Sequence, residues 1–331
     1  MDLTIVWAII IAVAVAMYVF MDGFDLGIGI LFPRFPVGRE RDQAMNAIAP
    51  VWDGNETWLV MGGGGLLAAF PLAYAIVLPA LYAPLIAMLL GLIFRGVAFE
   101  FRWRDERHRK IWDAGFCLGS LVATLAQGIT LGALLQGIHV EGRAYAGGWW
   151  DWLTPFSLLT GLSLVVAYAL LGATWLIWKT EGDLHERARR MASWLFPAFL
   201  LLVGAVSLAT PYLEQQYYAR WFHWPGLIVT AIMPFLFGGT ALVGWEGVRR
   251  GRDFQAFVCT LILFALTLIG LGISIWPDVI PGRVTIWEAA APHSSQVFML
   301  VGAAVLIPLI LAYTAWSYWV FRGKVGEGGY H

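Results

Sequence analysis

The chain has 331 residues, 60% of them hydrophobic and 13% charged, with a mean hydropathy of +0.71 and a formal net charge of −1. A soluble domain is about 45–50% apolar and roughly 25% charged, so the composition excludes a water-soluble enzyme and indicates a polytopic membrane protein, whose 18 Trp and 11 Tyr suit interfacial belts. The near-neutral charge leaves no basic domain for nucleic acid, and Cys117 and Cys259, in separate apolar segments without CxxC spacing, exclude a disulfide scaffold and a zinc site.

A helix crossing a ~30 Å hydrocarbon core needs about 20 mostly apolar residues. In chain order the segments that qualify are Leu3–Leu31, Asp53–Phe70, Leu72–Phe101, Ile111–Leu135, Trp152–Trp178, Met191–Pro211, Trp221–Glu246, Phe254–Trp276 and Ser295–Phe321. The second is short and opens on acidic residues, and Pro71 after it predicts a tight helical hairpin. The connections after spans one, three, five and seven, with the C-terminus, carry 17 of the 21 Lys and Arg; the alternate connections carry only Arg143, Arg220 and Arg283. That bias places the N-terminus outside and the C-terminus in the cytoplasm. The reading is an all-α fold of nine transmembrane helices in one integral membrane domain, residues 1–331, with no soluble domain. The first segment lacks a positive n-region and is too long for an h-region, so it is not read as a removable signal peptide.

Ionisable groups inside a span are costly and are functional candidates by default. In span one, Met21-Asp22-Gly23-Phe24-Asp25-Leu26-Gly27 places two carboxylates three residues apart on one helix face. Gly23 and Gly27 make a GxxxG step that admits a neighbouring helix. At the head of span two stand Trp52-Asp53-Gly54-Asn55-Glu56-Thr57-Trp58. Asp53 there could simply cap the helix, with Glu56 as its capping-box partner. But the segment to Phe70 is about 27 Å long, which holds Asp53 and Glu56 at or inside the Arg-rich face of the core. Arg95, in span three, lies roughly 10 Å inside the Arg102 boundary. An Arg at that depth needs a carboxylate partner unless it snorkels to the surface. Asp22, Asp25, Asp53 and Glu56 share its depth, so one buried cluster of opposite charges is the economical arrangement, suited to taking up and releasing protons. Asp113, at the start of span four, reads as a cap.

The histidines divide to the ends of the spans: His108, His185 and His331 on the Arg-rich side, His139, His223 and His293 on the other. A haem in the bilayer is usually held by axial His, Met or Cys, so no haem ligand is assigned to this chain, and no metal site. The run Gly62–Gly65 lacks the GK[ST] ending of a phosphate loop and lies in an apolar span, which reads as close helix packing.

Together these stretches resemble subunit II of the cytochrome bd-type quinol oxidases. The resemblance is carried by Met21–Gly29, by Asn46-Ala-Ile-Ala-Pro-Val-Trp-Asp-Gly-Asn55 with Trp58, by Phe94-Arg95 with Phe99-Glu100-Phe101-Arg102, and by Trp112-Asp113. It continues in Thr285-Ile-Trp-Glu-Ala289, Ser294-Ser-Gln296 and Pro308 to Trp316. The short connections look most like the cyanide-insensitive branch. The resemblance implies two four-helix bundles plus a peripheral helix, and pairing with a haem-bearing subunit I that holds b-type haems, haem d and the site where quinol is oxidised and dioxygen reduced. Small single-helix subunits, and a quinone or lipid bound to this subunit, accompany some members. It implies a bacterial inner-membrane location and protons drawn from the cytoplasm, with Asp53 in a proton route at the subunit interface and Asp22 and Asp25 as polar groups of the same region. Glu56-Thr57 departs from the uncharged residues some members carry. The rival from another class is a proton-coupled transporter, which buried charges and Gly/Pro-interrupted helices would fit; an odd span count and the lack of a visible inverted repeat speak against it.

Overall fold

A computed structural model of the chain describes residues 2–325. Helix α1 (Leu3–Leu31) ends at the Pro33 turn and is followed by a short charged helix, α2 (Arg39–Asn46). Next come α3 (Trp52–Ala69), α4 (Pro71–Ala80) and α5 (Tyr82–Arg104). α6 (Arg109–Leu135) and α7 (Pro155–Lys179) are joined through a small hairpin, β1 (Val140–Glu141) and β2 (Ala144–Tyr145). Then follow α8 (Gly182–Ala209), the short α9 (Gln215–Phe222), α10 (Gly226–Arg250) and α11 (Asp253–Ile275). A second hairpin, β3 (Asp278–Ile280) and β4 (Val284–Thr285), leads through α12 (Ile286–Ala289) to α13 (His293–Val320).

Among the described residues eight helices are long and apolar enough to cross a membrane, and the bent pair α3–α4 raises the number to nine if it is counted as one span. The contacts give the parity independently. The Trp7 indole donates to the Gln296 carbonyl (3.2 Å) and the Trp287 indole to Asp2 (2.8 Å), so α1 and α13 begin on the same face. Gln43, just past α1, donates to the Val325 carbonyl (3.4 Å), just past α13. First and last helices that run parallel require an odd number of crossings.

The predicted third span needs correcting. Ala291 N–H donates to the Ala69 carbonyl (2.8 Å), so α3 alone reaches the face opposite the arginines. There α4 turns away by 119°, packs on the hairpins and α12, and stops at Leu81; only α5 returns through the bundle. The tight hairpin predicted at Pro71 is therefore a bend followed by a short helix. Pro79 and Pro84 each remove a backbone donor, which is why one apolar run becomes two helices. The predicted seventh span likewise begins only at Gly226, because Trp221 belongs to α9, and α8 starts nine residues before the expected Met191.

Helices α1, α3, α5 and α6 form one set of four and α7, α8, α10 and α11 a second, joined where α1 and α6 pack on α7; α13 lies outside, mainly against α1 and α3. Small residues let these backbones touch. A Cβ at Gly27 of α1 would run into the Tyr168 carbonyl of α7, and one at Gly172 would lie 2.6 Å from the Gly27 carbonyl carbon. Gly91 and Gly119 do the same for α5 and α6. In the glycine run, Gly62 and Gly65 face Val15 and Ile11 of α1, while Gly63 and Gly64 face outward. α10 and α13 are scarcely buried, and their apolar side chains, such as Phe235 and Phe298, face outward as lipid-facing helices do.

Asp2 ties the start of α1 to this framework: it caps α1 by accepting from Thr4 N–H, and the Trp287 indole bond holds its carboxyl below the ordinary carboxylate range. A depressed pKa contributes stability that is present above the ordinary value and lost as pH falls through the depressed one. Hydrogen exchange of the first α1 amides is accordingly expected to rise only under that acid condition, and to be fast at neutral pH in Asp2→Ala.

Candidate functional site

The first half of α1 is partly exposed, whereas Met21 to Gly29 is buried on every side because α1 passes there between the two sets of helices. Asp22 and Asp25 stand in that segment, each 0% exposed. Asp22 Oδ1 accepts from Arg95 Nη1 at 2.6 Å. The second arm of the same guanidinium donates to Glu56 Oε2 at 3.0 Å, so one Arg from α5 joins α1 and α3. Arg95 is 2% exposed and lies over the Trp52 ring, 5.8 Å from its centroid; Trp52 in turn packs on Phe99. Arg95 is thus paired rather than snorkelling.

Asp25 points to a different neighbour. Its Oδ2 accepts from Asn55 Nδ2 at 2.8 Å, and the same amide reaches the Met21 carbonyl at 3.3 Å. The amide oxygen accepts from the Tyr318 hydroxyl of α13 at 2.8 Å. Trp58, one turn on, is buried against Ala14, Tyr18 and Met21. Tyr18 accepts from Gln127, whose oxygen accepts from Tyr168, which extends the polar seam between α1, α6 and α7. Gly23 sits against the Tyr168 ring, and Gly27 lets α7 come close enough to make that seam.

Asp22 and Glu56 therefore share one guanidinium, with Asp25 buried beside them against Asn55. Isolated buried charge is costly, and a single guanidinium does not balance three carboxylates. Asp22 Oδ2 and Asp25 Oδ1 are buried without a hydrogen-bond partner among the described residues, which marks them as positions where a proton or water can be received.

Asp53 is not in the cluster. It lies in the first turn of α3 but makes no cap, and it is exposed on the outward face with Thr57, Val60, Gly64 and Leu67. Glu56 makes no capping box either, since its carboxylate is taken by Arg95.

Asp113 also departs from expectation. α6 begins at Arg109, so Asp113 is in its second turn and caps nothing. It accepts from Arg41 (2.6 Å) and Arg102 (2.5 Å), while Asp42 pairs with Arg102 (2.8 Å) and Arg109 (2.5 Å). With the two-pronged Arg187–Glu40 pair (2.8 and 3.2 Å), this network pins α2 to α5, α6 and α8. Only Arg102 and Asp113 lay in motifs the sequence reading had singled out; Arg41 and Asp42 carried no signal beyond charge. Tyr318 was missed as a site residue, although it follows the Pro308 to Trp316 stretch by two positions.

His108, His139, His185, His223 and His293 all sit at or beyond helix ends, and His331 lies outside the described residues. Among the described residues no group of three or more His, Cys, Asp or Glu is placed to hold a metal ion.

Residues 3–321 match the family described as cytochrome bd terminal oxidase subunit II. The chain is 32% identical to the cytochrome bd-I ubiquinol oxidase subunit 2 of Escherichia coli K12, over 98% of this chain and 95% of the relative. It is 30% identical to the cytochrome bd ubiquinol oxidase subunit 2 of Bacillus subtilis, over 97% and 96%. Among solved structures it resembles a chain of the bd oxidase from Geobacillus thermodenitrificans, with a TM-score of 0.80 and 19% identity, over 98% of this chain and all of the other.

Proposed function

The chain belongs to the cytochrome bd terminal oxidase subunit II family, and on that footing we propose that it is the haem-free second subunit of a quinol:dioxygen oxidoreductase of the bacterial inner membrane. In this reading the partner, subunit I, supplies the b-type and d-type haems and the quinol site. This chain braces that partner and conducts protons from the cytoplasm toward the place where dioxygen is reduced to water. The transporter alternative falls with the family membership.

The observation that carries the reading is the buried Asp22–Arg95–Glu56 group with Asp25 beside it. Turnover consumes protons, and a carboxyl group short of counter-charge can accept and release them. The placement of histidines at helix ends supports assigning haem ligation to the partner. The Arg-rich face, which gathers the ends of α1, α5, α7, α10 and α13, is taken as cytoplasmic by the positive-inside rule. Asp53, on an outward face lined by small and apolar groups, suits a surface covered by subunit I, and we assign it the transfer of protons between this subunit and the partner. Arg95 is the charge partner that keeps Asp22 and Glu56 in place, and Trp52, Asn55 and Trp58 hold the geometry.

Asp53→Asn in the assembled complex tests this. Quinol-driven oxygen uptake is expected to fall about a hundredfold, the scale of one proton-transfer group, while the haem absorption spectrum is unchanged. Loss of haem would instead make Asp53 a structural residue, and an unaltered rate would remove it from the route.

A further inference from the structure

The three carboxyls of the site differ in their neighbours, and the difference bears on which of them holds a proton at rest. Asp22 Oδ1 accepts from Arg95 Nη1 at 2.6 Å. A guanidinium keeps its charge in proteins, so this contact is an ion pair with Asp22 as its carboxylate. Glu56 takes the other arm of Arg95 at 3.0 Å, and its side chain is 28% exposed, so water can share its charge. Asp25 has neither kind of help. It is wholly buried, and among the described residues no Lys, Arg or His pairs with it. Its one side-chain partner is the neutral amide of Asn55, and the Tyr318 hydroxyl beyond reaches only that amide. A buried carboxylate with a single neutral donor is a costly arrangement. The protonated acid is uncharged and avoids that cost.

The same contacts decide which oxygen carries the hydrogen. The end of the Asn55 amide that faces Asp25 also faces the Met21 carbonyl, at 3.3 Å. A carbonyl only accepts, so that end is the NH2, and Asp25 Oδ2 is an acceptor at 2.8 Å. The Tyr318 hydroxyl, donating to the amide oxygen at 2.8 Å, holds the amide in this sense. The acid hydrogen therefore belongs on Oδ1, which is buried with no hydrogen-bond partner among the described residues.

We propose that Asp25 is a neutral acid at rest, with its hydrogen on Oδ1, and that it is the proton reservoir of the cluster. Asp22 and Glu56 are the fixed counter-ions of Arg95. The reservoir role rests on the proton-conducting function given to the subunit above, whereas the resting protonation stands apart from it. Release breaks the Oδ1–H bond, passes the proton to a water as hydronium and leaves a carboxylate that Asn55 still holds. Refilling is the reverse of that step.

The test is infrared absorption of the assembled oxidase in liposomes, in H2O and D2O, with the aspartate side-chain carboxyls labelled with carbon-13. Asp25→Asn is compared with Asp53→Asn and Glu56→Gln, and the haem spectrum reports assembly. Subtracting Asp25→Asn from the parental spectrum is expected to leave one carbonyl band of a protonated acid, which moves down on labelling and in D2O. Subtracting Asp53→Asn or Glu56→Gln should leave no such band. Asp25→Asn is also expected to keep its haem, because asparagine matches the neutral acid in shape and charge. Carboxylate bands in place of the acid band would show Asp25 ionised and overturn the proposal. If Asp25→Asn loses haem, Asn55→Ala decides: the acid band should rise in frequency as its carbonyl loses a donor, and an unmoved band, or loss of haem here too, overturns the proposal. Oxygen uptake on the same samples separates the two readings. A lost acid band with parental turnover would keep the protonation and overturn the reservoir role. Slow turnover with carboxylate bands would overturn the protonation and leave the proton-conducting function standing.

Discussion

Arg95→Leu is expected to abolish assembly of the oxidase, the largest loss from any single substitution in this chain. Among the described residues its guanidinium is the one cation paired with Asp22 and Glu56, at 2.6 and 3.0 Å, and both it and Asp22 are almost wholly buried. Removing one member of a buried pair leaves the other charge without compensation, which costs about 3–5 kcal/mol, a large share of the margin by which proteins are stable. Removing both members is a different operation: a matched apolar or neutral pair is often near neutral in stability. Asp22→Asn with Arg95→Gln is therefore expected to recover part of the membrane-inserted protein and haem content that Arg95→Leu alone loses, since the Glu56 left behind is 28% exposed and can meet water. If the proposed proton-conducting role holds, turnover stays low in the double variant, because two ionisable members of the cluster are gone. Thermal denaturation of the detergent-solubilised complex, with haem absorbance and oxygen uptake on the same samples, separates these effects. Equal instability of single and double variants would show that the pair is not the source of the loss.

The same cluster shows how far a sequence goes. Four carboxylates share Arg95's depth, and depth follows from counting residues along a helix. Which of them meet Arg95 depends on rotation about the axis and on where neighbours lie. Asp53 is two residues from Asn55, roughly 200° round α3 at 3.6 residues per turn, so the helix that aims Asn55 at Asp25 turns Asp53 outward. Asp113 opens an apolar run, which is the local signature of a cap. Its real partners, Arg41 and Arg102, come from other segments, and no local pattern announces them. The limits of α1 were legible because the apolar run ends at Phe32-Pro33. The break in the predicted third span was hidden because Leu72–Phe101 is continuously apolar through the break at Leu81, and hydropathy does not register the backbone donors lost at Pro79 and Pro84. Tyr318 went unseen for a related reason: one tyrosine on a lipid-facing helix is unremarkable until α13 is laid against Asn55.

Gly27→Ala is the second large effect, and its sign is set by a contest of magnitudes. In an open helix interior, replacing Gly by Ala is favourable by about 1 kcal/mol. At Gly27 the added carbon meets the backbone carbonyl of Tyr168, and the facing Gly172 offers no side chain that could move aside. Relief requires α1 and α7 to separate along the seam that joins the two sets of helices, and overpacking of this kind costs about 1–3 kcal/mol or more. The substitution is therefore expected to destabilise, and Gly27→Val to prevent assembly. Gly204 of α8 is the matched control, since a Cβ there meets nothing within 4 Å. Gly204→Ala should be neutral or slightly stabilising in the same thermal assay. Opposite signs for one chemical change at two helical glycines would tie the cost to the α1–α7 contact. Parental stability in Gly27→Ala would mean that this contact is looser than its geometry, and that Asp22 and Asp25 owe their burial to something other than the approach of α7.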